Sequence, residues 1–376
     1  MASHRKVQYF IAALIAIAAA ALAAQIQDNG YYTVAERGGR AWLVTPAGSP
    51  VLVLALNHVH LISATAPRTD LAPAYVDQRA GQVLSGMQAL GFNALGGDAD
   101  ADLWHRGLPY LELLDISHHL QAEQQTPMVD VYAADFAGQV AALAQAACVP
   151  RARDPELIGY FSDDGLDWDP SLHAAEMLRY YLKLPLSAPG RQRAMDYLRI
   201  RYGSDIRAAN RAWGVKARDF LELSTPAPGG EAAFAADAAG FANQVLVRYL
   251  QTTADAIHAA DPNHLYLGAK LRWSPNRVTA AVWNIPDVAS VSLDPNQDPA
   301  VVLGALARLT SHPLLANISG CGGSAGGVAG LLAAPALIGY VWAPSGDWQG
   351  GACASQAASV WAPINHGAVA MHDAGR

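Results

Sequence analysis

The chain has 376 residues, of which 52% are hydrophobic and only 15% are charged. This composition excludes a disordered chain, and the length suffices for one large or two average domains. Lys and Arg number 25 against 32 Asp and Glu, which gives a formal net charge of -7. The basic residues are scattered and form no stripe with interleaved aromatics, so nucleic acid is not an expected partner. Three cysteines, none in a CxxC pair, are too few for a disulfide scaffold or a cysteine-based metal site.

The N-terminus has the pattern of a secretory signal peptide. Arg5 and Lys6 precede an apolar run from Phe10 to Ala24, which ends in the small-residue sequence Ala21-Leu22-Ala23. The run is shorter than the roughly 20 residues that a membrane-spanning helix needs. We therefore predict a signal peptide over residues 1–24 and a secreted or periplasmic protein that leaves the membrane after cleavage. An uncleaved membrane anchor is the alternative.

Short apolar runs then alternate with longer segments of helical periodicity. The runs predict buried strands at Val51–Val59, Phe92–Leu95, Tyr110–Ile116 together with Met128–Tyr132, Leu157–Phe161, Leu265–Leu271, Val288–Leu293, Leu314–Ile318 and Leu337–Trp342. Helices are predicted at Val76–Leu90, Phe136–Ala147, Leu172–Leu182, Ala235–Ala260 and Ala300–Leu309. The alternation predicts an α/β fold with a parallel sheet, and eight runs over about 300 residues favour a (β/α)8 TIM barrel over a doubly wound sheet.

Three segments depart from this alternation. Gly30 to Pro50 has the turn residues of a β-hairpin, which we expect near the base of the barrel. Residues 185–230 carry helical pieces at Arg191–Tyr202 and Asp205–Trp213, and are predicted as an insertion after strand 4 of a single barrel domain spanning 25–376. At the C-terminus, either Ala352–Trp361 covers the eighth strand or the final helix is missing.

The three cysteines differ in their predicted positions. Cys321 follows the seventh strand and Cys353 the eighth, so both are expected in loops on the same rim of the barrel. Cys148 precedes the fourth strand and is expected at the opposite end. A disulfide requires Cα atoms roughly 4.4–6.8 Å apart. A disulfide between Cys321 and Cys353 is therefore possible, and Cys148 is expected to be free.

Several motifs occur in an order that resembles one enzyme group. They are the segments Trp42–Gly48, Leu54–Val59, Leu90–Asn93, Leu157–Leu166, Arg201–Ile206, Asn210–Gly214 and Asp261–Gly268. Over roughly residues 40 to 345, their order and spacing resemble β-agarases and the β-galactosidase-like barrels of the clan-A glycoside hydrolases. The resemblance implies a (β/α)8 barrel, an extracellular or periplasmic location, and retaining hydrolysis of β-linked glycans.

Active sites of such barrels lie at the C-terminal ends of the strands. Polar and aromatic residues predicted there suit a polysaccharide or oligosaccharide, because sugars pack C–H faces on rings and need hydrogen bonds to their hydroxyls. These residues are Asn57, His58, Asp98, Asp163, Asp164, Trp168, Arg272, Trp273, Asp294, Trp342 and Trp348. Some of the tryptophans are expected to be core residues. The resembling enzymes place a sugar-stacking tryptophan at the position of Trp342.

The two catalytic glutamates that the resemblance implies are both substituted. The acid/base position after strand 4 holds Gly165, and the position matching the nucleophile at the end of strand 7 is assigned to Ile318. Retaining hydrolysis needs two carboxyl groups about 5–5.5 Å apart. The two neighbours of Ile318, Asn317 and Ser319, supply no carboxylate either. The leading interpretation is a catalytically degenerate, glycan-binding hydrolase-like barrel.

Relocated carboxylates are the alternative. Asp163 or Asp164 could act as a general acid with Asp294 as the second carboxylate, in an inverting geometry of roughly 6.5–9.5 Å. Instead of a catalytic role, Asp163 and Asp164 could have a structural one, in which they form hydrogen bonds to loop amides and strand ends.

Metal and cofactor motifs are weak. The pairs His118-His119 and His58-x-His60 lack a matching acid cluster, so no metal is predicted, and no cofactor motif is present. No GxSxG elbow favours a serine hydrolase. The sequence leaves the oligomeric state and the identity of the glycan open.

Overall fold

The computed structural model describes residues 30–61, 72–274, 278–294, 297–321, 330–349 and 351–374. The predicted signal peptide lies outside the described residues. In the part of the chain that is described, no helix combines the length and the apolar character needed to cross a membrane.

A small antiparallel sheet comes first. It consists of β1 (Thr33–Arg37), β2 (Arg40–Val44) and β3 (Pro50–Val51), so the predicted hairpin is confirmed and carries a third short strand. Gly38 and Gly39 have φ values of 60° and 74°, the left-handed conformation that a tight two-residue turn requires. The Ala41 amide donates to the Pro335 carbonyl at 2.8 Å, just before the last barrel strand begins. The sheet therefore lies at the base of the barrel.

The remaining strands form one parallel sheet. They are β4 (Val53–Leu56), β5 (Ala94–Leu95), β6 (Tyr110–Leu113), β7 (Leu157–Phe161), β8 (Leu265–Tyr266), β9 (Leu271–Arg272), β10 (Ala289–Leu293), β11 (Leu314–Ser319) and β12 (Leu337–Ala343). Their order in the sheet is β8-β7-β6-β5-β4-β12-β11-β10-β9. The two outermost strands, β8 and β9, are the two ends of the single run predicted at Leu265–Leu271.

This interrupted fifth strand closes the ring. On one side the Leu267 amide donates to the Tyr160 carbonyl at 2.8 Å, and on the other the Val288 amide donates to the Tyr266 carbonyl at 3.3 Å. One segment thus bonds to neighbours at both edges of the sheet. Counting β8 and β9 as one strand, eight parallel strands form the (β/α)8 TIM barrel that the alternation predicts.

One predicted strand segment is wrong. Met128–Tyr132 is a loop, although Val129 and Val131 are buried. The Tyr181 hydroxyl donates to the Val129 carbonyl at 3.0 Å, and the Val131 amide donates to the same hydroxyl at 3.1 Å. A side chain therefore satisfies this backbone, and the apolar run needs no strand partner.

Helices surround the barrel. They are α1 (Pro73–Ala89), α2 (Ile116–Gln124), α3 (Phe136–Cys148), α4 (Pro170–Lys183), α5 (Pro189–Arg201), α6 (Ile206–Trp213), α7 (Glu231–Ala260), α8 (Ala280–Trp283), α9 (Pro299–Leu306), α10 (Gly351–Gln356) and α11 (Ala362–Ala374). A π-helical turn, Ala357–Trp361, joins α10 to α11. The final helix is therefore present, and Trp361 packs on Tyr340 and Trp342 to cover the eighth strand.

Alternation along the strands separates two cores. Leu315, Val341 and Ala55 belong to the interior core of the barrel, whereas Ala316 and Trp342 belong to the layer between sheet and helices. Successive residues of a strand point to opposite faces, so this assignment fixes which side chains can reach the barrel mouth.

The disulfide that the sequence left open is present. Cys321 and Cys353 are bridged with their Cα atoms 5.0 Å apart. Cys148 is free and buried at the end of α3. The bridge ties the segment after β11 to α10.

Candidate functional site

The fifth strand breaks at the barrel mouth. Gly268 and Lys270 adopt positive φ values of 79° and 47°. Lys270 is a non-glycine residue in the left-handed region, a strained state that persists only where its surroundings enforce it. Here the Lys270 amide donates to Ser290 Oγ at 3.0 Å, and Ser292 Oγ donates to the Lys270 carbonyl at 2.8 Å. Two serines of β10 therefore fix the backbone of this lysine.

The break brings Lys270 to the end of β7. Its Nζ lies 2.9 Å from the Asp164 carboxylate and 4.6 Å from the centre of the Phe161 ring. The lysine side chain is 2% exposed and that of Asp164 is 48% exposed. Asp164, one of the two predicted acids at this position, is thus an ion-pair partner on the rim.

Asp163 has a different environment, although it is the adjacent residue. Its carboxylate is 1% exposed and accepts hydrogen bonds from the Ser117 amide and the Tyr249 hydroxyl, each at 2.8 Å. Burial raises the pKa of Asp163 to about 7, against the lowering effect of these bonds and of one from Ser162. The carboxyl group ties the end of β7 to the first turn of α2 and to α7.

A cavity of about 260 Å³ adjoins these two aspartates. Its wall also includes Asp115 and Asp167, together with Leu113, Ser117, His118, Gln121 and Gly165. His118 Nδ1 lies 3.5 Å from the Asp115 carboxylate. Within the described residues, no group of three or more His, Cys, Asp or Glu is arranged to hold a metal ion. The cavity is therefore an acidic, polar recess.

Another polar group lies where β4 and β5 end. His58 has a φ of 57°, and its backbone amide donates to Asp98 Oδ1 at 2.7 Å. Its ring joins two loops, since Nε2 lies 3.1 Å from Asp98 Oδ2 and Nδ1 lies 2.9 Å from the Pro344 carbonyl. The imidazole is 44% exposed. Of the predicted binding residues, His58 and Asp98 are therefore accessible and linked.

Asn57 occupies the strand end beneath this pair. It is 1% exposed, and its side-chain oxygen has no hydrogen-bond partner in the described part of the chain. The residue packs so closely on β5 that a Cβ at Gly96 would collide with it. The glycine is required here by close approach. Asn57 lies behind the accessible surface.

Most of the predicted tryptophans do not face the cleft. Trp342 is 0% exposed, stacks between Phe92 and Trp361 at centroid distances of 5.9 Å and 5.1 Å, and donates from Nε1 to the Gly320 carbonyl. The expectation that Trp342 offers a free face to a sugar is therefore wrong. Its place on β12 turns it to the outer layer, where helices cover it.

Of the other three predicted tryptophans, two are buried and one is partly exposed. Trp168 is 2% exposed and donates from Nε1 to Ser117 Oγ at 2.8 Å, and Trp348 is 6% exposed. Trp273, directly after β9, is partly exposed and lies 6.2 Å from the Trp283 ring. Among the four predicted rings, Trp273 is the one that solvent reaches.

Gly165 and Ile318, the two positions assigned from the resemblance to the catalytic glutamates, lie in different environments. Gly165 follows β7 with a φ of 81°, and a Cβ there would meet nothing within 4 Å. Ile318 pairs with Trp342 across the sheet and packs against the outer layer, so it does not face the interior. Asn317 shares the face of Leu315 by alternation. The inward position at this strand end is thus Asn317.

Two further predicted residues are exposed. Asp294 follows β10 and its carbonyl accepts from the Gln297 amide at 3.0 Å; it is not among the residues that line the cavity beside Asp163. Arg272, at the end of β9, is exposed as well. The described cavity therefore does not bring Asp294 together with Asp163 and Asp164.

Sequence reasoning missed Lys270. The signal was present, because a single lysine interrupts the otherwise apolar run Leu265–Leu271. A charged residue inside a buried strand needs a partner. The partner lies on another strand, however, and the sequence does not identify it.

Comparison with known proteins supports the architecture. No family model matches the chain. A curated β-agarase A from Vibrio sp. (strain JT0107) is 27% identical over 235 residues, which cover 55% of this chain and 23% of that protein. This chain thus spans less than a quarter of the curated relative that it matches.

Solved structures share the fold at low identity. An exo-β-agarase superposes with a TM-score of 0.69 and 15% identity, covering 91% of this chain and 66% of that one. A β-galactosidase from the haloarchaeon Halorubrum lacusprofundi superposes with a TM-score of 0.55 and 13% identity, covering 83% and 58%. The chain therefore has the TIM-barrel fold, and its barrel resembles those of solved β-agarases and β-galactosidases.

Proposed function

We propose that the protein is exported and binds a β-linked polysaccharide of the agarose or galactan type at the mouth of its barrel, with hydrolysis lost. The observation that carries the proposal is that two specific strand-end positions, Gly165 after β7 and the inward-facing end of β11, hold no carboxylate, whereas the resembling enzymes have a glutamate after each of these strands. Gly165 has no side chain, and the inward-facing residue of β11 is the amide Asn317. A neutral amide neither attacks an anomeric carbon nor stabilises an oxocarbenium ion as a carboxylate does.

The nearby aspartates are engaged in other contacts. Asp164 is paired with the buried Lys270, and Asp163 is enclosed by Ser117 and Tyr249. These contacts support a structural role for both acids. A general acid must reach the glycosidic oxygen of the bound substrate, and a carboxyl group that is 1% exposed does not do so without opening the loop around it.

The rim retains features that suit a sugar. Trp273 is partly exposed beside Arg272, although it also packs on Trp283. The His58–Asp98 pair is partly exposed on another part of the mouth, and the Asp98 carboxylate oxygens keep lone pairs for a sugar hydroxyl. Rings and paired polar groups of this kind bind the apolar faces and hydroxyls of pyranoses. Binding therefore survives the loss of the catalytic pair.

One observation favours an active hydrolase as the second candidate. The pKa of Asp163 is raised to about 7, which is the range in which a carboxyl group serves as a general acid at neutral pH. In this alternative Asp163 or Asp164 protonates the leaving group, and Asp294 is the second carboxylate.

Paired binding and reducing-sugar assays on agarose, other galactans and other β-glycans distinguish the candidates. The wild-type protein is expected to bind one glycan of the panel and to release no reducing sugar. Trp273→Ala should weaken that binding roughly tenfold or more through loss of ring stacking. Trp42→Ala, which removes a partly exposed tryptophan from the sheet at the barrel base, is the matched control and should leave it unchanged.

Asparagine variants of the two aspartates complete the test. Asp163→Asn and Asp164→Asn should leave affinity within about twofold, because the amide keeps shape and hydrogen-bonding capacity. Turnover by the wild-type protein that either variant abolishes would refute the loss of catalysis. Placing carboxylates back with Gly165→Glu and Asn317→Glu together should produce hydrolysis, if these positions are the catalytic ones.

A further inference from the structure

A second concave site lies on the outer side of α7. This groove, of about 770 Å³, is lined by Tyr132, Arg193, Gln244, Arg248, Gln251 and Thr279, among others. It shares no residue with the cavity beside Asp163. The two sites lie on different faces of the same helix, since Tyr249 bonds Asp163 while its neighbour Arg248 lines the groove.

The groove is positively charged in an acidic protein. Its two arginines, Arg193 on α5 and Arg248 on α7, are exposed, and neither forms an ion pair with any residue that the structure describes. None of the lining residues is acidic. Arg151 and Arg201, in contrast, are paired with Glu112 and Asp237. The two guanidinium groups are thus available to an anion from outside.

The rest of the lining suits a carbohydrate. The Arg193 guanidinium lies 6.0 Å from the centre of the Tyr132 ring, and its Nη2 donates to the Gln244 side chain at 3.4 Å. Thr279 and the side-chain oxygen of Gln251, whose Nε2 donates to the Asp255 carboxylate at 2.8 Å, add further groups that bond hydroxyls. Aromatic, amide and hydroxyl groups beside a guanidinium match a sugar ring that carries an anionic substituent.

We propose that this groove binds a saccharide bearing sulfate or carboxylate groups, at a site separate from the barrel mouth. Two guanidinium groups neutralise two anionic substituents, and the net charge of -7 repels a densely charged polymer. A sparsely substituted glycan therefore fits better than a nucleic acid, whose phosphates follow one another along the chain. The site does not depend on whether the barrel mouth binds or cleaves glycans.

Calorimetry with a sulfated galactan oligosaccharide, and with the same oligosaccharide after chemical desulfation, tests the proposal. The wild-type protein should bind the sulfated form about tenfold or more tightly, and the preference should diminish as salt is raised. Arg193→Gln and Arg248→Gln should each weaken binding of the sulfated form about tenfold, with no effect on the desulfated form. Both residues are exposed, so the variants should keep the thermal stability of the wild type.

Three controls test whether the effect is specific to the groove and to a saccharide. Arg207→Gln removes one exposed arginine outside the groove and should leave the preference unchanged. Trp273→Ala should weaken binding of both oligosaccharides at the barrel mouth but leave the tighter, sulfate-dependent binding at the groove unchanged, which separates the two sites. Inorganic sulfate at the oligosaccharide concentration should not compete; full competition would reduce the groove to a simple anion site and overturn the proposal. Equal affinity for the two oligosaccharides would overturn it as well.

Discussion

The Asp164–Lys270 ion pair is buried on one side only, so its two members should respond differently to substitution. The lysine side chain is 2% exposed, whereas that of Asp164 is 48% exposed. Removing the aspartate charge leaves an ammonium group in the protein with the Phe161 ring as its neighbour. Removing the ammonium leaves a carboxylate that water can solvate. We therefore predict that Asp164→Asn destabilises the fold more than Lys270→Met.

The magnitude follows from the exposures. Removing one partner of a fully buried pair costs about 3–5 kcal/mol. Because Asp164 lies on the rim, water relieves part of this penalty, and we expect a loss of about 2–3 kcal/mol for Asp164→Asn. Lys270→Met keeps the apolar stem beside Phe161, so its cost should stay within about 1 kcal/mol. In the Lys270→Met background, Asp164→Asn should cost less than about 0.5 kcal/mol.

Urea unfolding of the wild type, both single variants and the double variant measures these free energies. Lys216→Met, which changes an exposed lysine, is the control and should shift stability by less than about 0.5 kcal/mol. The reasoning fails if Lys270→Met is the more destabilising change, or if the two substitutions are additive in the double variant.

Three further predictions concern stability. Reducing the Cys321–Cys353 bridge should lower the free energy of unfolding by about 4 kcal/mol in the chain-entropy treatment, because the bridge spans a sequence separation of 32. Thiol titration of unreduced, denatured protein should detect Cys148 alone. The pKa of Asp163 is raised from 3.8 to about 7, so between these pH values the folded protein binds more protons than the unfolded chain. The free energy of unfolding should therefore fall as pH rises from about 4 to 7. Asp163→Asn should remove that dependence. Trp342→Ala should cost about 3–5 kcal/mol in chemical denaturation because the ring is fully buried, and a loss below 1 kcal/mol would contradict its place in the outer core.

The sequence by itself determined the barrel. Parallel strands that are buried on both faces must be apolar runs, and the helices between them must carry an apolar stripe, so both signals are local. The runs at Leu157–Phe161 and Leu337–Trp342 match the observed strands to within a residue, and the helix from Phe136 is likewise recovered. The sequence also placed Cys321 and Cys353 after neighbouring strands, but whether they are bridged was decided by the structure.

Only the tertiary structure decided which side chains reach the mouth. A shift of one residue turns a strand side chain to the other face, so Trp342 belongs to the outer layer and Asn317, rather than Ile318, faces inward. The pairing of Lys270 with Asp164 joins residues far apart along the chain and depends on the break in the fifth strand. Such contacts are set by the packing of whole strands against one another, and no local pattern of residues encodes them.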